Sequence, residues 1–157
     1  MGDAMFARKH HNSTVSEADF CTVKRIAASH SEFEQANYDS TGKECLLKKA
    51  LFSDRPKLFC SVIESSNKLQ GYFTYTFDYS TWDAHAFLYL DCLYLEPEFR
   101  GYKIGEIVFD KLIEIAKHNQ CVTIEWQTPI FNERAIKFYN RIGGTGKEKV
   151  RFFINTK

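Results

Sequence analysis

The residues with the clearest chemical pattern lie in a loop that leaves a predicted strand and enters a predicted helix. The strand ends at Leu93, Tyr94 and Leu95, and the segment Glu96–Gly105 follows. The first N–H groups of a helix have no internal acceptor and stand at its positive end, so this geometry binds phosphate groups. Gly101 and Gly105 permit close approach of a ligand to the backbone, and Arg100 and Lys103 add positive charge. The spacing fits a helix entry with two solvated cations equally well, and both interpretations stay open.

Asp91 is the residue best suited to acid–base chemistry. It lies within the predicted strand Ala86–Leu95, where strict alternation puts it on one face with Phe87, Tyr89, Leu93 and Leu95. Asp is depleted in strands, and a buried carboxylate needs compensating partners, so this placement points to a functional site. The alternatives are a carboxylate bonded to the backbone at a bulge, or one exposed at a strand irregularity.

Two further candidates lie on a predicted helix near the C-terminus. Its apolar face is formed by Phe131, Ala135, Phe138, Tyr139 and Ile142, and Gly143 ends it. From position alone, Tyr139 fits a core aromatic better than a catalytic group. Asn132 fits the N-cap of the same helix.

These residues must be positioned by an α/β sandwich on a mixed sheet. The predicted elements are helices over Ser16–Ser31 and Thr41–Phe52, strands over Lys57–Glu64, Leu69–Tyr79 and Ala86–Leu95, a helix from Ile104 to His118, a strand over Cys121–Gln127, a helix over Phe131–Ile142 and a strand over Val150–Ile154. A meander followed by alternating helices and strands gives this architecture. With only 3 Pro and no linker composition, we expect one domain over residues 1–157, with residues 1–4 as a disordered tail.

Composition narrows the class of protein. The 21 basic and 20 acidic residues give a net charge of +1, which argues against a general nucleic-acid or membrane-surface binder. The 5 Cys residues form no Cys-x-x-Cys pair and the 5 His residues form no metal-binding pattern, so we expect no metal site. The same cysteines suggest no disulfide framework, so we expect the protein in the reducing cytoplasm. No apolar stretch is long enough to span a bilayer.

Two motifs in this order resemble the GNAT superfamily of N-acetyltransferases. The segment Arg100–Gly105 resembles the R/Q-x-x-G-x-G/A loop of that family, with Lys103 where the middle glycine normally stands. The segment Asn132–Gly143 resembles the family's N-x-x-(A/S)-(I/x)-x-F-Y-x-x-x-G helix. The resemblance implies a mixed, mostly antiparallel central sheet with helices on both faces, the use of acetyl-CoA, and a homodimer.

The resemblance also implies roles for individual residues. Asp91 corresponds to a base or substrate anchor, and Tyr139 to the acid that protonates the departing thiolate. The residues implied in binding acetyl-CoA are Leu93, Tyr94, Leu95, Arg100, Gly101, Tyr102, Lys103, Ile104, Gly105, Glu106, Asn132, Ala135 and Tyr139. Those implied in binding the amine are Glu32, Trp82 and Asp91. A solvated charge at a helix end explains Glu32 at least as well, and a packed loop aromatic explains Trp82 at least as well. Glu125, on the polar side of its predicted strand, is a further candidate to line the same pocket.

A narrower resemblance is to the branch that acetylates diamines (spermidine and spermine) and thialysine. It rests on Tyr75–Trp82, on Phe87–Asp91 and on Ser31–Glu34. Cys92 and Ser80 replace two acids of that branch, which weakens recognition of a polycation. The sequence therefore predicts acetyl transfer to a primary amine of a small molecule, either a polyamine, a diamine or a lysine-like amine. A protein or peptide N-acetyltransferase and a non-catalytic acyl-CoA-binding module are the alternatives.

Overall fold

The computed structural model describes residue 20, residues 42–65 and residues 68–156, and the elements lie within these ranges. In chain order they are α1 (Lys43–Phe52), β1 (Phe59–Ser65), β2 (Lys68–Ser80), β3 (His85–Leu95), α2 (Ile104–His118), β4 (Ile124–Trp126) and α3 (Glu133–Arg141). A 3-10 turn over Pro97–Phe99 connects β3 to the loop before α2. The predicted helices and strands in this part of the chain are confirmed in type and order apart from the last strand, although the strand predicted over Cys121–Gln127 is only three residues long.

The strands form a four-stranded sheet in the order β1-β2-β3-β4. The pairs β1–β2 and β2–β3 are antiparallel, whereas β4 runs parallel to β3. This confirms the predicted mixed, mostly antiparallel sheet. The chain divides after Gln127 into two compact units, residues 1–127 with the sheet and residues 128–157 with α3. The single domain over residues 1–157 stays a prediction.

The sheet of the first unit is covered on both faces. On one face, Tyr72 of β2 and Tyr94 of β3 are buried with Phe20, and side chains of α1 pack against them. On the other face, the Phe109 ring of α2 lies 5.0 Å from the Trp126 ring of β4. The buried residues of α2 recur at helical spacing, at Ile104, Val108, Phe109, Leu112 and Ala116. A stripe of this kind fixes which side of α2 faces the sheet.

The prediction of a strand over Val150–Ile154 is wrong. The chain has no strand there, and the side chains of Val150, Phe152, Phe153 and Ile154 are 77%, 88%, 83% and 89% exposed. β-propensity describes how a residue fits a pleated, half-buried surface, and so it cannot make a strand without a neighbour that completes the ladder. Of the helix predicted over Ser16–Ser31, only Phe20 is described, and it is helical.

The helices of the described ranges are short. The longest of them, α2, has 15 residues. None in residues 42–65 or 68–156 combines the length and the apolar composition needed to cross a bilayer. Nor does this part of the chain gather three His, Cys, Asp or Glu side chains in an arrangement that could hold a metal ion.

Candidate active site

Asp91 is the extra residue of a β-bulge in the middle of β3. Thr74 of β2 pairs with Cys92, and the next residue, Tyr75, pairs with Leu90, so Asp91 has no partner in the ladder. The bulge breaks the strict alternation that the sequence predicts for β3. The Asp91 side chain is exposed at this irregularity, which is the last alternative that the sequence left open, and the expectation of a buried carboxylate is wrong. A bulge re-aims a side chain and often lies beside an active site.

The carboxylate of Asp91 contacts one hydroxyl group across the strands. The Thr74 hydroxyl donates a hydrogen bond to Asp91 Oδ2 at 3.3 Å. Thr74 is 7% exposed, whereas Asp91 faces solvent. The bulge thus holds an ionisable group at the surface, and that group accepts a hydrogen bond from a buried hydroxyl of the sheet. No pattern in the sequence points to Thr74.

Two tyrosines near the bulge stay protonated at physiological pH. Burial raises the pKa of the Tyr72 hydroxyl, and Cys92, whose sulfur lies 3.1 Å from the Tyr72 oxygen, raises it further. Burial also raises the pKa of Tyr75 to about 12, with a smaller effect of Cys60. Neither phenol can act as a base at neutral pH.

Beyond the bulge, one edge of β3 is open. β4 pairs with β3 only at Leu88, Tyr89 and Leu90, one residue short of Asp91. From Asp91 to Leu95, β3 has no ladder partner on that edge among the described residues. An open edge presents backbone N–H and C=O groups that can pair with an extended ligand.

Arg100 ties the loop after β3 to the end of that strand. Its Nε donates to the carbonyl oxygen of Leu95 at 2.9 Å, and its guanidinium lies 5.5 Å from the centre of the Tyr94 ring. The Tyr94 hydroxyl donates to Glu96 at 3.2 Å. Burial, followed by the Glu96 carboxylate, raises the pKa of Tyr94. Arg100 therefore braces the loop as well as adding positive charge.

The loop ends at the backbone N–H groups that begin α2, and not all of them have an acceptor within the described residues. The N–H groups of Glu106 and Ile107 both donate to the carbonyl of Lys103. Those of Lys103, Ile104 and Gly105 make no hydrogen bond within the described ranges. Three successive amides of this kind at a helix N-terminus, the first of them on the left-handed residue Lys103, suit an anion such as a pyrophosphate.

The backbone of this loop has left-handed residues at two places. Gly101 has φ 97° and Lys103 has φ 62° with ψ 11°. The left-handed conformation costs a residue with a Cβ roughly 1–2 kcal/mol, and glycine adopts it without that cost. Lys103 is therefore strained at the position where the sequence departs from the glycine of the motif.

Replacing Lys103 with Gly is expected to raise the free energy of unfolding by about 0.5–1 kcal/mol. Relief of the left-handed strain exceeds the added entropy of glycine in the unfolded chain. Urea denaturation of the wild type and the variant measures the difference. The control is Lys103→Ala, which removes the charge and keeps the strain, and it should bring no such gain. A Gly variant no more stable than the Ala variant would contradict the explanation.

Of the residues predicted to bind the amine, Glu125 shares a sheet face with Asp91. Glu125 is exposed and pairs with Tyr89, which in turn pairs with Thr76. Side chains of paired residues lie on the same face, and Thr76 shares its face with Thr74, two residues away on β2. Asp91 receives its hydrogen bond from Thr74 and so lies on that face as well. The carboxylates of Asp91 on β3 and Glu125 on the neighbouring strand β4 are therefore on one side of the sheet.

Trp82 lies elsewhere on the same unit. It is 97% exposed in the turn between β2 and β3. The hydroxyl of Tyr79, near the end of β2, donates a hydrogen bond across this turn to the carbonyl oxygen of Ala84 at 2.6 Å. From His85 at the start of β3 to Asp91 the strand spans about 20 Å. Trp82 and Asp91 therefore lie at well-separated places on this unit. Glu32 lies outside the described residues.

In the second unit, Asn132 and Tyr139 lie on α3. The side chain of Asn132 accepts a hydrogen bond from the N–H of Ala135 at 3.2 Å, which confirms it as the N-cap of the helix. Tyr139 is half-buried, and its ring lies 5.3 Å from the ring of Phe138. Gly143, with φ 92°, ends the helix as the sequence predicts.

Comparison with known proteins connects these features to one family. The model of the acetyltransferase (GNAT) family matches residues 23–144. The chain is 27% identical to the thialysine N-epsilon-acetyltransferase of Mus musculus over 81% of this chain and 79% of that protein. The corresponding protein of Bos taurus is 28% identical with the same coverage.

Solved structures share the fold at lower identity. A possible acetyltransferase from Clostridium difficile 630 superimposes with a TM-score of 0.75 at 19% identity, covering 99% of this chain and 98% of that one. An aminoglycoside acetyltransferase from an uncultured soil metagenomic sample gives a TM-score of 0.71 at 17% identity, covering 89% of each chain.

Proposed function

Because the chain belongs to the acetyltransferase (GNAT) family, we propose that it moves an acetyl group from acetyl-CoA to a primary amine of a small molecule. The family makes it an acyltransferase enzyme, and acetyl-CoA is the donor that the family uses generally. The observation that carries the proposal is one continuous segment. It begins at the exposed carboxylate of Asp91, continues along an open strand edge, and ends at the free amides of Lys103–Gly105.

The donor would be held along that segment. The N–H groups of Lys103, Ile104 and Gly105 would bind the pyrophosphate, and the absence of another acceptor for them among the described residues supports this, with Arg100 bracing the loop. The open edge of Leu93–Leu95 offers backbone groups to the amide-containing arm of the coenzyme. Glu106 in the first turn of α2 and the exposed Tyr102 flank this place.

Asp91 would act as the general base. A primary ammonium group has a pKa near 10.4 and must lose its proton before the nitrogen can attack. Asp91 takes that proton, directly or through one water molecule. The nitrogen then attacks the thioester carbonyl, and a backbone N–H of Leu93–Leu95 stabilises the oxyanion, a contact worth roughly 2.7–4 kcal/mol where it has been removed. Both substrates are held together, so no covalent enzyme intermediate is needed.

Tyr139 would donate its hydroxyl proton to the departing thiolate sulfur. Replacing it with Phe is expected to lower kcat roughly 10- to 100-fold. This loss does not exceed the smallest that is usual for removal of a general acid, because a water molecule can protonate the thiolate in place of the tyrosine. KM for acetyl-CoA should change less than twofold. Steady-state kinetics measure both constants, and Tyr75→Phe, which removes a phenol hydroxyl from β2, is the control. Unchanged turnover in Tyr139→Phe would remove Tyr139 from the mechanism.

The amine would carry a positive charge and a short alkyl chain. The carboxylates of Asp91 and Glu125 on one sheet face favour a cation. The relatives named as thialysine N-epsilon-acetyltransferases favour a lysine-like amine, and a human relative named spermidine/spermine N(1)-acetyltransferase-like protein 1, 30% identical over 59% of this chain and 14% of that protein, favours a polyamine. Glu32 and Trp82 remain proposed contacts of the amine. We also propose a homodimer in the cytoplasm.

The test is release of free CoA from acetyl-CoA in the presence of single amines. The panel comprises thialysine, lysine, spermidine, short diamines, an aminoglycoside and a lysine-containing peptide. Fast release with one small amine supports the proposal and names the substrate class. Release with the peptide alone favours the peptide N-acetyltransferase. Saturable acetyl-CoA binding without release for any amine favours the acyl-CoA-binding module.

A further inference from the structure

Among the described residues, the hydroxyl of Thr74 is the only hydrogen-bond partner of the Asp91 carboxylate. Asp91 lies in the bulge, where it has no partner in the ladder, and its side chain receives one hydrogen bond within the described ranges. That bond comes from Thr74 on the neighbouring strand. Without it, rotation of the carboxylate about its own χ angles would be restricted only by rotamer preference.

The hydrogen bond also satisfies a buried group on the β2 side. Thr74 is a buried polar residue, 7% exposed, on the sheet face that also carries the buried Tyr72 and Tyr94. No buried side-chain nitrogen or oxygen of the described residues lacks a partner. Buried hydroxyl groups are normally hydrogen-bonded, and Asp91 is the acceptor that meets this need for Thr74. A valine of the same shape would serve packing alone equally well.

The bulge and the hydroxyl therefore work together. Because Asp91 is the extra residue of the bulge, it lies outside the ladder, and the hydroxyl of Thr74 on β2 donates a hydrogen bond to its Oδ2. This leaves Oδ1 as the oxygen available to receive a proton from an approaching ammonium group. The arrangement suits a base that must be oriented before the substrate arrives.

We propose that Thr74 is a positioning residue for Asp91: its hydroxyl orients the carboxylate that accepts the proton of the amine. This inference rests on the proposed function, because it assigns a supporting group to the base of that reaction. Thr74 acts through Asp91 and does not touch the substrate.

The experiment compares three variants with the wild type. Thr74→Val removes the hydroxyl and keeps the shape, Thr74→Ser keeps the hydroxyl, and Thr76→Val removes another threonine hydroxyl from the same face of β2. With the best amine of the panel, Thr74→Val should lower kcat roughly five- to tenfold, the ratio expected for loss of one ordinary hydrogen bond. KM for acetyl-CoA should change less than twofold, Thr74→Ser should recover most of kcat, and Thr76→Val should resemble the wild type.

A double variant separates positioning from general damage to the sheet. In the background of Asp91→Asn, Thr74→Val should cause no further loss of kcat. If Thr74 acts only through the Asp91 carboxylate, the effects of the two substitutions are not additive. A full additional loss in that background would overturn the proposal. So would wild-type kcat in Thr74→Val.

A ¹³C NMR measurement tests the contact between Thr74 and Asp91 even if the protein acetylates no amine. In protein labelled with ¹³C at the aspartate carboxyl carbons, the Asp91 resonance is assigned by its loss in Asp91→Asn. It should move in Thr74→Val and stay in place in Thr74→Ser at a fixed pH. If it moves but no amine is acetylated, the proposed function fails and the orientation of Asp91 by Thr74 stands. If it does not move, the inference fails whether or not the enzyme is active.

Discussion

Replacing Asp91 with Asn is expected to lower kcat for acetyl transfer about 100-fold. The substitution keeps the shape of the side chain and removes its ability to accept the proton of the ammonium group. The loss should be largest at low pH, where almost all of the amine is protonated and needs a base. KM for acetyl-CoA should change less than twofold, since the proposed donor contacts begin beyond the bulge, at Leu93.

The measurement is the rate of CoA release as a function of amine concentration and pH. The matched control is Asp110→Asn, which neutralises an exposed carboxylate on α2 and should leave the rate unchanged. If Asp91→Asn turns over like the wild type at every pH, Asp91 is not the base. In that case Glu125, on the same sheet face, is the next residue to test.

Replacing Gly71 with Ala is expected to lower the free energy of unfolding by about 3 kcal/mol. Gly71 is buried in β2, beside the irregular register where β1 shifts against it. A Cβ atom here would run into the backbone carbonyl oxygen of Tyr94 and lie 2.9 Å from Cδ2 of Leu95. Because a carbonyl in a central strand cannot move aside as a flexible side chain can, the two strands must separate.

Urea denaturation measures the loss, with Gly146→Ala as the control. A Cβ at Gly146 meets no atom within 4 Å, so that variant should stay within about 0.5 kcal/mol of the wild type. A Gly71→Ala variant of wild-type stability would mean that β2 and β3 are less closely packed at Tyr94 than the structure shows. Since Tyr94 and Leu95 border the proposed donor site, the variant should also bind acetyl-CoA more weakly.

Local patterns in the sequence predict most elements correctly. Helical spacing of apolar residues gives α2 to its last residue, His118, and Gly143 marks the end of α3. The glycine-containing loop after β3 is also correctly predicted as the entrance to a helix. These features depend on residues near one another in the chain, which is why they can be read without the structure.

Features that depend on pairing between strands are not predictable in this way. The bulge at Asp91 arises from the register of β3 against β2, and Thr74 can take its proposed role only because that register pairs it with Cys92, next to the bulge. The segment Val150–Ile154 has the residue types of a strand but joins no ladder in the described part of the chain. For the same reason, nothing in the sequence around Gly71 reveals the close approach of Tyr94.

The most direct test of the proposed acetyl transfer is to identify the product by mass spectrometry. Wild-type protein is incubated with acetyl-CoA and one amine at a time from the panel, and the amine is analysed for an added acetyl group. We expect one small amine to gain a single acetyl group, in an amount equal to the CoA released, with thialysine and polyamines as the leading candidates. Absence of an acetylated small amine, while the protein binds acetyl-CoA saturably, would contradict the proposed function.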